Sequence, residues 1–492
     1  MISSQLPILQ IIIPLVAAPL CILLRSDRYS WFIANVATIS ILGIVSFLMV
    51  AILENGPINY QLGGWIPPFG IEYRLDTLNI FVLLLISGSA ALILPFITNS
   101  IEKEIDKNRR HFFYAIFLLT LTGLMGIVAT NDIFNVYVFL EISSLGTYVL
   151  IGLGKKRQAL TAAYRYLIQG TIGATFILIG IGFLYSATGT LNMADMRNLL
   201  DPIIDTRPVL AGISIMTAGI LIKLALFPLH LWLPNAYTFA PSVVSAFLAM
   251  VSTKVAAYLL IRLNYSVFDI SSRLDNFYIS EVMIALSILA ILIGSFAAIL
   301  QKDIKSLLAM SSIAQIGYLV IGISIPTVTG LTGGIVHIFN HGLIKGSMFL
   351  AIACIVYRLG DSNLKKLKGL GNKMPFSAAA LVIGGLGLVG IPGTSGFISK
   401  WYLVTAALES NLWPVAVVVL LGSLITIVYI GRLIEILYFA PLDKSAPQIK
   451  EAPLLLHIPV WILLAASIYF GLHADFTISV AENAATLLLG IK

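Results

Sequence analysis

Lys223-Leu224-Ala225-Leu226-Phe227-Pro228-Leu229-His230-Leu231-Trp232-Leu233-Pro234 sets a lysine, a histidine and two prolines in an otherwise apolar run. Pro228 has no backbone N–H to donate and frees the carbonyl one turn earlier, so a helix arriving through Lys223 is interrupted. Freed backbone at membrane depth is tolerated only where protein or a water-filled cavity covers it. A lysine beside such a break is well placed to exchange protons with water.

The chain around this stretch has the composition of a polytopic membrane protein. Of its 492 residues 59% are hydrophobic and only 11% charged, with a mean hydropathy of +0.97; a soluble chain carries about 25% charged residues. Apolar runs near the ~20 residues that cross ~30 Å of hydrocarbon recur throughout. They lie near 6–24, 31–53, 76–98, 111–130, 133–153, 162–187, 208–227, 242–262, 279–300, 305–325, 331–357, 377–399, 412–437 and 455–473, punctuated by proline, glycine and charge. The expected fold is an all-α integral membrane protein of about 14 transmembrane helices. The first run lacks a preceding basic stretch and a small-residue cleavage site, and reads as a retained helix. The tail beyond Leu472 reads as a short interfacial helix.

Several function classes drop out. Cys21 and Cys354 form no CxxC or Cys/His cluster, and no P-loop or dinucleotide fingerprint stands in a strand–helix setting. No cofactor, iron–sulfur cluster or metal is therefore expected on this chain, and its energy would come from an ion gradient or from partner subunits. The formal charge of +7 reads as cytoplasmic Lys/Arg bias, not a nucleic-acid surface. Twenty of the thirty basic residues follow odd-numbered spans, six lie on the opposite side and four stand at membrane depth. That asymmetry places both termini outside.

The four deep lysines are Lys223, Lys254, Lys345 and Lys400, accompanied by Glu141, His337 and His341. Intramembrane charge is costly and usually faces an interior polar path. Glu141 lies nine residues past Asp132, roughly 13 Å into its helix. Making and breaking a Glu141–Lys223 pair would change the proton affinity of the lysine. His337, His341 and Lys345 fall at i, i+4 and i+8, a single stripe about 12 Å long, and histidine titrates near neutrality. A zinc site is not expected there without carboxylate or thiol ligands. Lys400 follows a second interruption at Pro392, Gly393 and Gly396. Other charges read as ordinary: Arg262 as a snorkelling side chain, Arg432 with Glu435 as an interfacial ion pair, and Asp303 with Lys302 and Lys305 as a loop cluster.

Span five, from Asp132-Ile133 to Gly146-Thr147-Tyr148-Val149-Leu150-Ile151-Gly152, weakly matches span ten, from Asp303-Ile304 to Gly317-Tyr318-Leu319-Val320-Ile321-Gly322. Lys223 and Lys400 match chemically, each beside a break. Both correspondences join elements five spans apart, so the copies would run in opposite directions, the build of many ion-coupled transporters.

These residues resemble the antiporter-like subunits shared by Mrp-type Na+/H+ antiporters, respiratory complex I and membrane-bound energy-converting hydrogenases. The resemblance spans nearly the whole chain and is carried by Glu141, by Lys223…Phe227-Pro228…His230-Leu231-Trp232-Leu233-Pro234…Ala240-Pro241, and by Gly390-Ile391-Pro392…Gly396-Phe397…Lys400. It implies two inverted five-helix repeats with interrupted helices seven and twelve, at 110–263 and 275–440. Residues 1–109 form the first three helices and 441–492 the last helix and tail. It implies that Glu141 and Lys223 are a coupled acid–base pair, that Lys254, His337, His341 and Lys345 line a central axis, and that Lys400 is the terminal base. Length and Lys400 resemble the D-type subunits of Mrp antiporters or the N-like subunits of complex I, and Phe134-Asn135-Val136-Tyr137-Val138-Phe139-Leu140-Glu141 favours the former. The implied protein is a secondary-transporter subunit, not itself an enzyme, in a bacterial inner membrane. Its partners would be other subunits of a membrane complex, H+ and a monovalent cation, Na+. The alternative is the proton-pumping arm of an NADH:quinone oxidoreductase or hydrogenase.

Overall fold

The computed structural model describes residues 5–269, 279–441 and 449–491. Arg273, Lys444 and Lys492, which contribute to the orientation reading, lie outside the described residues. The chain opens with α1 (Leu6–Leu24) and α2 (Asp27–Asn55). A small antiparallel hairpin, β1 (Ile58–Gln61) with β2 (Glu72–Leu75), follows. These four-residue strands between the second and third spans carry no hydropathy signal. Then come α3 (Thr77–Ile93), α4 (Thr98–Glu104), α5 (Arg110–Ala129), α6 (Ile133–Gly152), α7 (Arg157–Thr188) and α8 (Met193–Leu200). The middle of the chain holds α9 (Arg207–Leu224), α10 (Trp232–Phe239), α11 (Ser242–Ile261), α12 (Ile279–Ile299), α13 (Ile304–Ser324) and α14 (Val328–Leu359). The last third is α15 (Pro375–Val389), α16 (Ser395–Glu409), α17 (Trp413–Ile434), α18 (Leu454–Leu472) and α19 (Asp475–Leu489).

Among the described residues 13 helices are long and apolar enough to cross a membrane. The twelfth expected span is broken: α15 and α16 have 15 residues each, too short to cross alone. The expected span 377–399 is corrected accordingly, because the chain continues from α16 as far as Glu409. Span seven breaks in the same way, ending at Leu224 and resuming as the eight-residue α10.

Both breaks close with the same device. Ala225 and Gly390 adopt positive φ, +63° and +86°. The next N–H reaches back along the helix, Leu226 to the Leu221 carbonyl at 3.1 Å and Ile391 to the Leu386 carbonyl at 3.2 Å, which satisfies carbonyls the helix end leaves open. In span seven the Trp232 indole N–H donates to the Ile222 carbonyl at 2.8 Å. The freed backbone is thus covered by protein, as a hydrocarbon setting demands.

The repeat is also visible in matching contacts. Asp132 caps α6 through the Asn135 N–H (2.7 Å), and Asp303 caps α13 through the N–H groups of Lys305 (2.8 Å) and Ser306 (3.1 Å). The N–H of Ile133 donates to Leu191, and that of Met193 to Asn131, both at 2.9 Å. In the second copy Ile304 donates to Ser362 and Leu364 to Lys302, again at 2.9 Å. The residues of these paired backbone contacts correspond by one constant offset in sequence.

Three charges do not sit where hydropathy alone puts them. Arg262 does not snorkel: it is buried and bonded to Asp76, Nη1 to Oδ2 at 2.8 Å. Asn79 Oδ1 (2.7 Å), the Tyr258 hydroxyl (3.1 Å) and Ser266 Oγ (3.2 Å) also accept from its guanidinium. Lys305 is no loop residue; it is 4% exposed and donates to the Ala240 carbonyl at 3.1 Å. Among the described residues Arg432 makes no ion pair with Glu435. Its guanidinium donates to the carbonyls of Ile299 and Gln301 at the end of α12, where helix carbonyls attract cations. The tail beyond Leu472 forms α19, packed on α14 and α3, with Asn483 Oδ1 accepting from Thr77 Oγ1 at 3.1 Å.

Candidate functional site

Each deep lysine meets a hydroxyl. Lys223 occupies the last turn of α9, at the break, and its Nζ donates to Ser144 Oγ on α6 at 2.9 Å. Lys254, in the middle of α11, donates back to its own helix at the Ala249 carbonyl and lies 3.5 Å from Thr253 Oγ1. Lys345 crosses from α14 to α13, to the Leu308 carbonyl at 2.7 Å and to Ser311 Oγ. Lys400, on α16, reaches the end of α15: Nζ donates to the carbonyls of Leu388 (2.7 Å) and Val389 (2.9 Å) and to Ser423 Oγ (2.9 Å). His337 Nδ1 is 2.9 Å from Ser399 Oγ.

A hydroxyl beside a base has a particular consequence. An ammonium only donates hydrogen bonds, whereas a neutral amine carries a lone pair; a hydroxyl can accept from the first and donate to the second. At Lys400 three donors meet three acceptors when it is charged. When it is neutral, two N–H groups serve the carbonyls and Ser423 donates to nitrogen. Neither protonation state leaves a buried polar group unpaired, which would cost about 1–3 kcal/mol. A carboxylate partner would instead favour the charged form alone.

Glu141 does not form an ion pair with Lys223 among the described residues; Ser144, one turn further along α6, stands at the ammonium instead. The carboxylate is close enough to act electrostatically on Lys223, and it is partly exposed. Between Lys223 and α11 lies a cavity of about 30 Å³, walled by Ser143, Ser144, Thr147, Tyr166 and Ser252 among others. The rest of its wall is apolar, but the hydroxyls and Lys223 offer partners, and it is large enough to admit a water. The Tyr166 ring stacks on Trp232 at 4.0 Å and 5°, tying the wall to the helix break. Lys254 follows Ser252 two residues on along α11, on a different face of the helix.

The histidine stripe forms as its spacing implies. The rings of His337 and His341 stack with centroids 5.5 Å apart. Lys254, Lys345 and Lys400 all act electrostatically on His341, and Lys254 and Lys400 act on His337. Lys345 leaves the stripe and turns to α13. Both ring nitrogens of His341, Nε2 of His337, Oδ1 of Asn340 and Nε2 of Gln315 are buried without a protein partner among the described residues. Ordered water is the usual partner of buried polar atoms of this kind. The Lys400 ammonium also lies 4.8 Å over the Tyr318 ring.

The hydroxyls of Ser144, Thr147, Ser252, Ser311, Ser399 and Ser423 were not legible as site residues. Serine and threonine occur throughout membrane helices, and only the Ser143-Ser144 and Ser311-Ser312 doublets in the two matching spans offered a signal. Among the described residues no three of His, Cys, Asp and Glu converge as metal ligands.

Two broken helices, each with a buried lysine at its break, joined by further titratable groups and hydroxyls, define the class: a membrane subunit built to carry ions or protons. The chain belongs to the NADH:quinone oxidoreductase/Mrp antiporter transmembrane family, whose model matches residues 130–426. It is 38% identical, over 97% of both chains, to NADH-quinone oxidoreductase subunit N of Desulforudis audaxviator. It is 30% identical to antiporter subunit mnhD2 of Staphylococcus haemolyticus, over 99% of this chain and 96% of the relative. A chain of the membrane-bound sulfane sulfur reductase, an archaeal respiratory membrane complex, superposes with a TM-score of 0.91 at 30% identity, with 99% of this chain and 98% of that one covered. A chain of the Mrp complex from Dietzia sp. DQ12-45-1b has the same fold, with a TM-score of 0.91 at 24% identity and the same coverage.

Proposed function

We propose that the chain is the proton-translocating subunit of a multisubunit monovalent cation/H+ antiporter, with Na+ as the exchanged cation. Protons enter from one side, exchange along Glu141, Lys223, Lys254, His341 and Lys400, and leave on the other; His337 and Lys345 line the path. Pro228, Pro392, Gly393 and Gly396 maintain the two helix interruptions beside which Lys223 and Lys400 stand. The observation that carries this reading is the pairing of Lys223, Lys254, Lys345 and Lys400 each with a hydroxyl, which permits either protonation state at membrane depth. Glu141 supports the presence of partner chains, because a partly exposed carboxylate roughly 13 Å into a membrane helix needs a neighbour to cover it. Repeats at 110–263 and 275–440, flanked by 1–109 and 441–492, give each copy one broken helix. Both termini lie outside a bacterial inner membrane on the Lys/Arg asymmetry; labelling of a cysteine in the 361–373 loop from outside would reverse that orientation.

Reconstituting the complex with Glu141→Ala or Lys223→Ala and following pH-gradient-driven cation exchange tests the role. Undiminished exchange in both variants would sink it. The 38% identity to a quinone oxidoreductase subunit favours a second reading, the proton-pumping arm of a redox complex. Mass spectrometry of partners that co-purify with the tagged chain separates the two: small antiporter subunits support the first, iron–sulfur and flavin subunits the second.

A further inference from the structure

A cavity of about 470 Å³ opens where α4, the start of α7, the α10–α11 junction, the start of α13 and the end of α14 meet. Its wall carries Lys103, Lys155, Lys156, Lys305 and Arg358 against a single carboxylate, Glu104. That carboxylate is already engaged, accepting from the Ser242 N–H (2.9 Å) and Oγ (3.0 Å) and from Ser100 Oγ (2.9 Å), so it caps α11. Among the described residues none of the five cations is in an ion pair with a carboxylate. Lys305 spends one donor on the Ala240 carbonyl and is otherwise buried at the cavity wall. Glu104 and Asp303 act on Lys305 more strongly than Lys156 does, but five cations against one carboxylate leave the wall net positive. Such a mouth repels protons and metal cations, which argues against an inlet for them, and it attracts an anion.

We propose that this cavity binds a phosphate group, the anionic headgroup of a membrane phospholipid or a phosphate from solution. Lys103, Lys155 and Arg358 each donate to a backbone carbonyl, of Tyr357, Lys103 and Glu451, and the donors that they and Lys156 retain suit a tetrahedral oxyanion. Lys155 and Lys156 stand at the head of α7, whose Leu160 and Tyr164 are exposed to the surroundings of the bundle. A headgroup at the membrane surface would therefore reach the cavity directly, as basic pockets between membrane helices receive anionic lipids. The site is separate from the proton path and stands whether or not the path carries protons as described above.

The test is native mass spectrometry of the delipidated full-length chain titrated with phosphatidylglycerol, phosphatidylcholine or inorganic phosphate. The variant is Lys155→Gln/Lys156→Gln, two exposed side chains whose loss leaves the core intact. The control is Lys365→Gln/Lys366→Gln, two lysines outside the cavity. Preferential phosphatidylglycerol binding, weakened about 30-fold in the first variant and unchanged in the control, is the expected result. Displacement of the lipid by millimolar phosphate would identify the phosphate group in solution as a sufficient ligand; resistance to displacement would identify the lipid. Equal binding of both lipids with no phosphate adduct, or equal loss in variant and control, overturns the site.

Discussion

Gly396→Ala is the sharpest test of how the second break is built. A Cβ added at Gly396 would lie 2.0 Å from the Gly387 carbonyl oxygen and 3.3 Å from Ile344 Cδ1. Carbon–oxygen contacts close at about 3.3 Å, so α16 must move roughly 1.3 Å away from α15, against backbone that cannot rotate aside. Lys400 follows Gly396 by one turn and shares its face of the helix. Its bonds to Leu388 and Val389 are 2.7 and 2.9 Å; lengthened by that displacement they exceed about 3.6 Å and are lost. The overpacking costs about 1–3 kcal/mol, and two carbonyls orphaned at a helix end bring the total to about 3–5 kcal/mol. Equilibrium unfolding of the purified chain in mixed detergent micelles measures the loss, and proton flux in reconstituted vesicles should fall at least tenfold. Gly182→Ala, where an added Cβ meets nothing within 4 Å, is the internal control and should be neutral. A Gly396→Ala chain as stable and as active as the parent would refute the close seating of α16 on α15 as the support for Lys400.

Further outcomes follow from other contacts. Ser144→Ala removes the only hydroxyl bonded to Lys223 among the described residues and should slow proton flux about tenfold, whereas Ser144→Thr should restore it; equal rates in all three would remove the hydroxyl from the path. Arg262→Met strands Asp76 and should cost about 3–5 kcal/mol in the same unfolding assay, with Arg262→Met/Asp76→Asn recovering part of it. Glu451 joins the segment before α18 to the start of α15, accepting from Ser377 Oγ (2.7 Å) and the Phe376 N–H (2.9 Å) beside His457 (3.2 Å). Burial alone would raise its carboxyl, but His457, Ser377 and the two backbone N–H groups outweigh burial and hold it below the ordinary range. Its contribution is therefore complete above the unfolded carboxylate pKa and fades as pH falls through the lower folded value. Glu451→Gln should cost about 1–2 kcal/mol at pH 7 and flatten that acid limb; a pH-stability curve identical to the parent's would remove the clasp.

The legible part of this protein was what short stretches of chain settle by themselves. Apolar length decides how many times the chain crosses a bilayer, and proline and glycine at 228, 392, 393 and 396 mark the interruptions because φ and missing donors are local properties. A lysine or glutamate in a long apolar run is unusual without any neighbour being known, so Glu141, Lys223, Lys254 and Lys400 stood out. Tertiary structure alone decided what those groups touch. Arg262 and Lys305 lie near the ends of their spans, where a side chain either reaches the aqueous interface or bonds a neighbouring helix; only the packing of α3 against α11, and of α10 against α13, chose the second. The same holds for the Glu141–Lys223 pair, where Ser144 takes the contact that charge complementarity suggested for the carboxylate. Hydropathy ranks a serine as indifferent wherever it occurs; its value in this bundle arises from one base placed within about 3 Å of it by another helix.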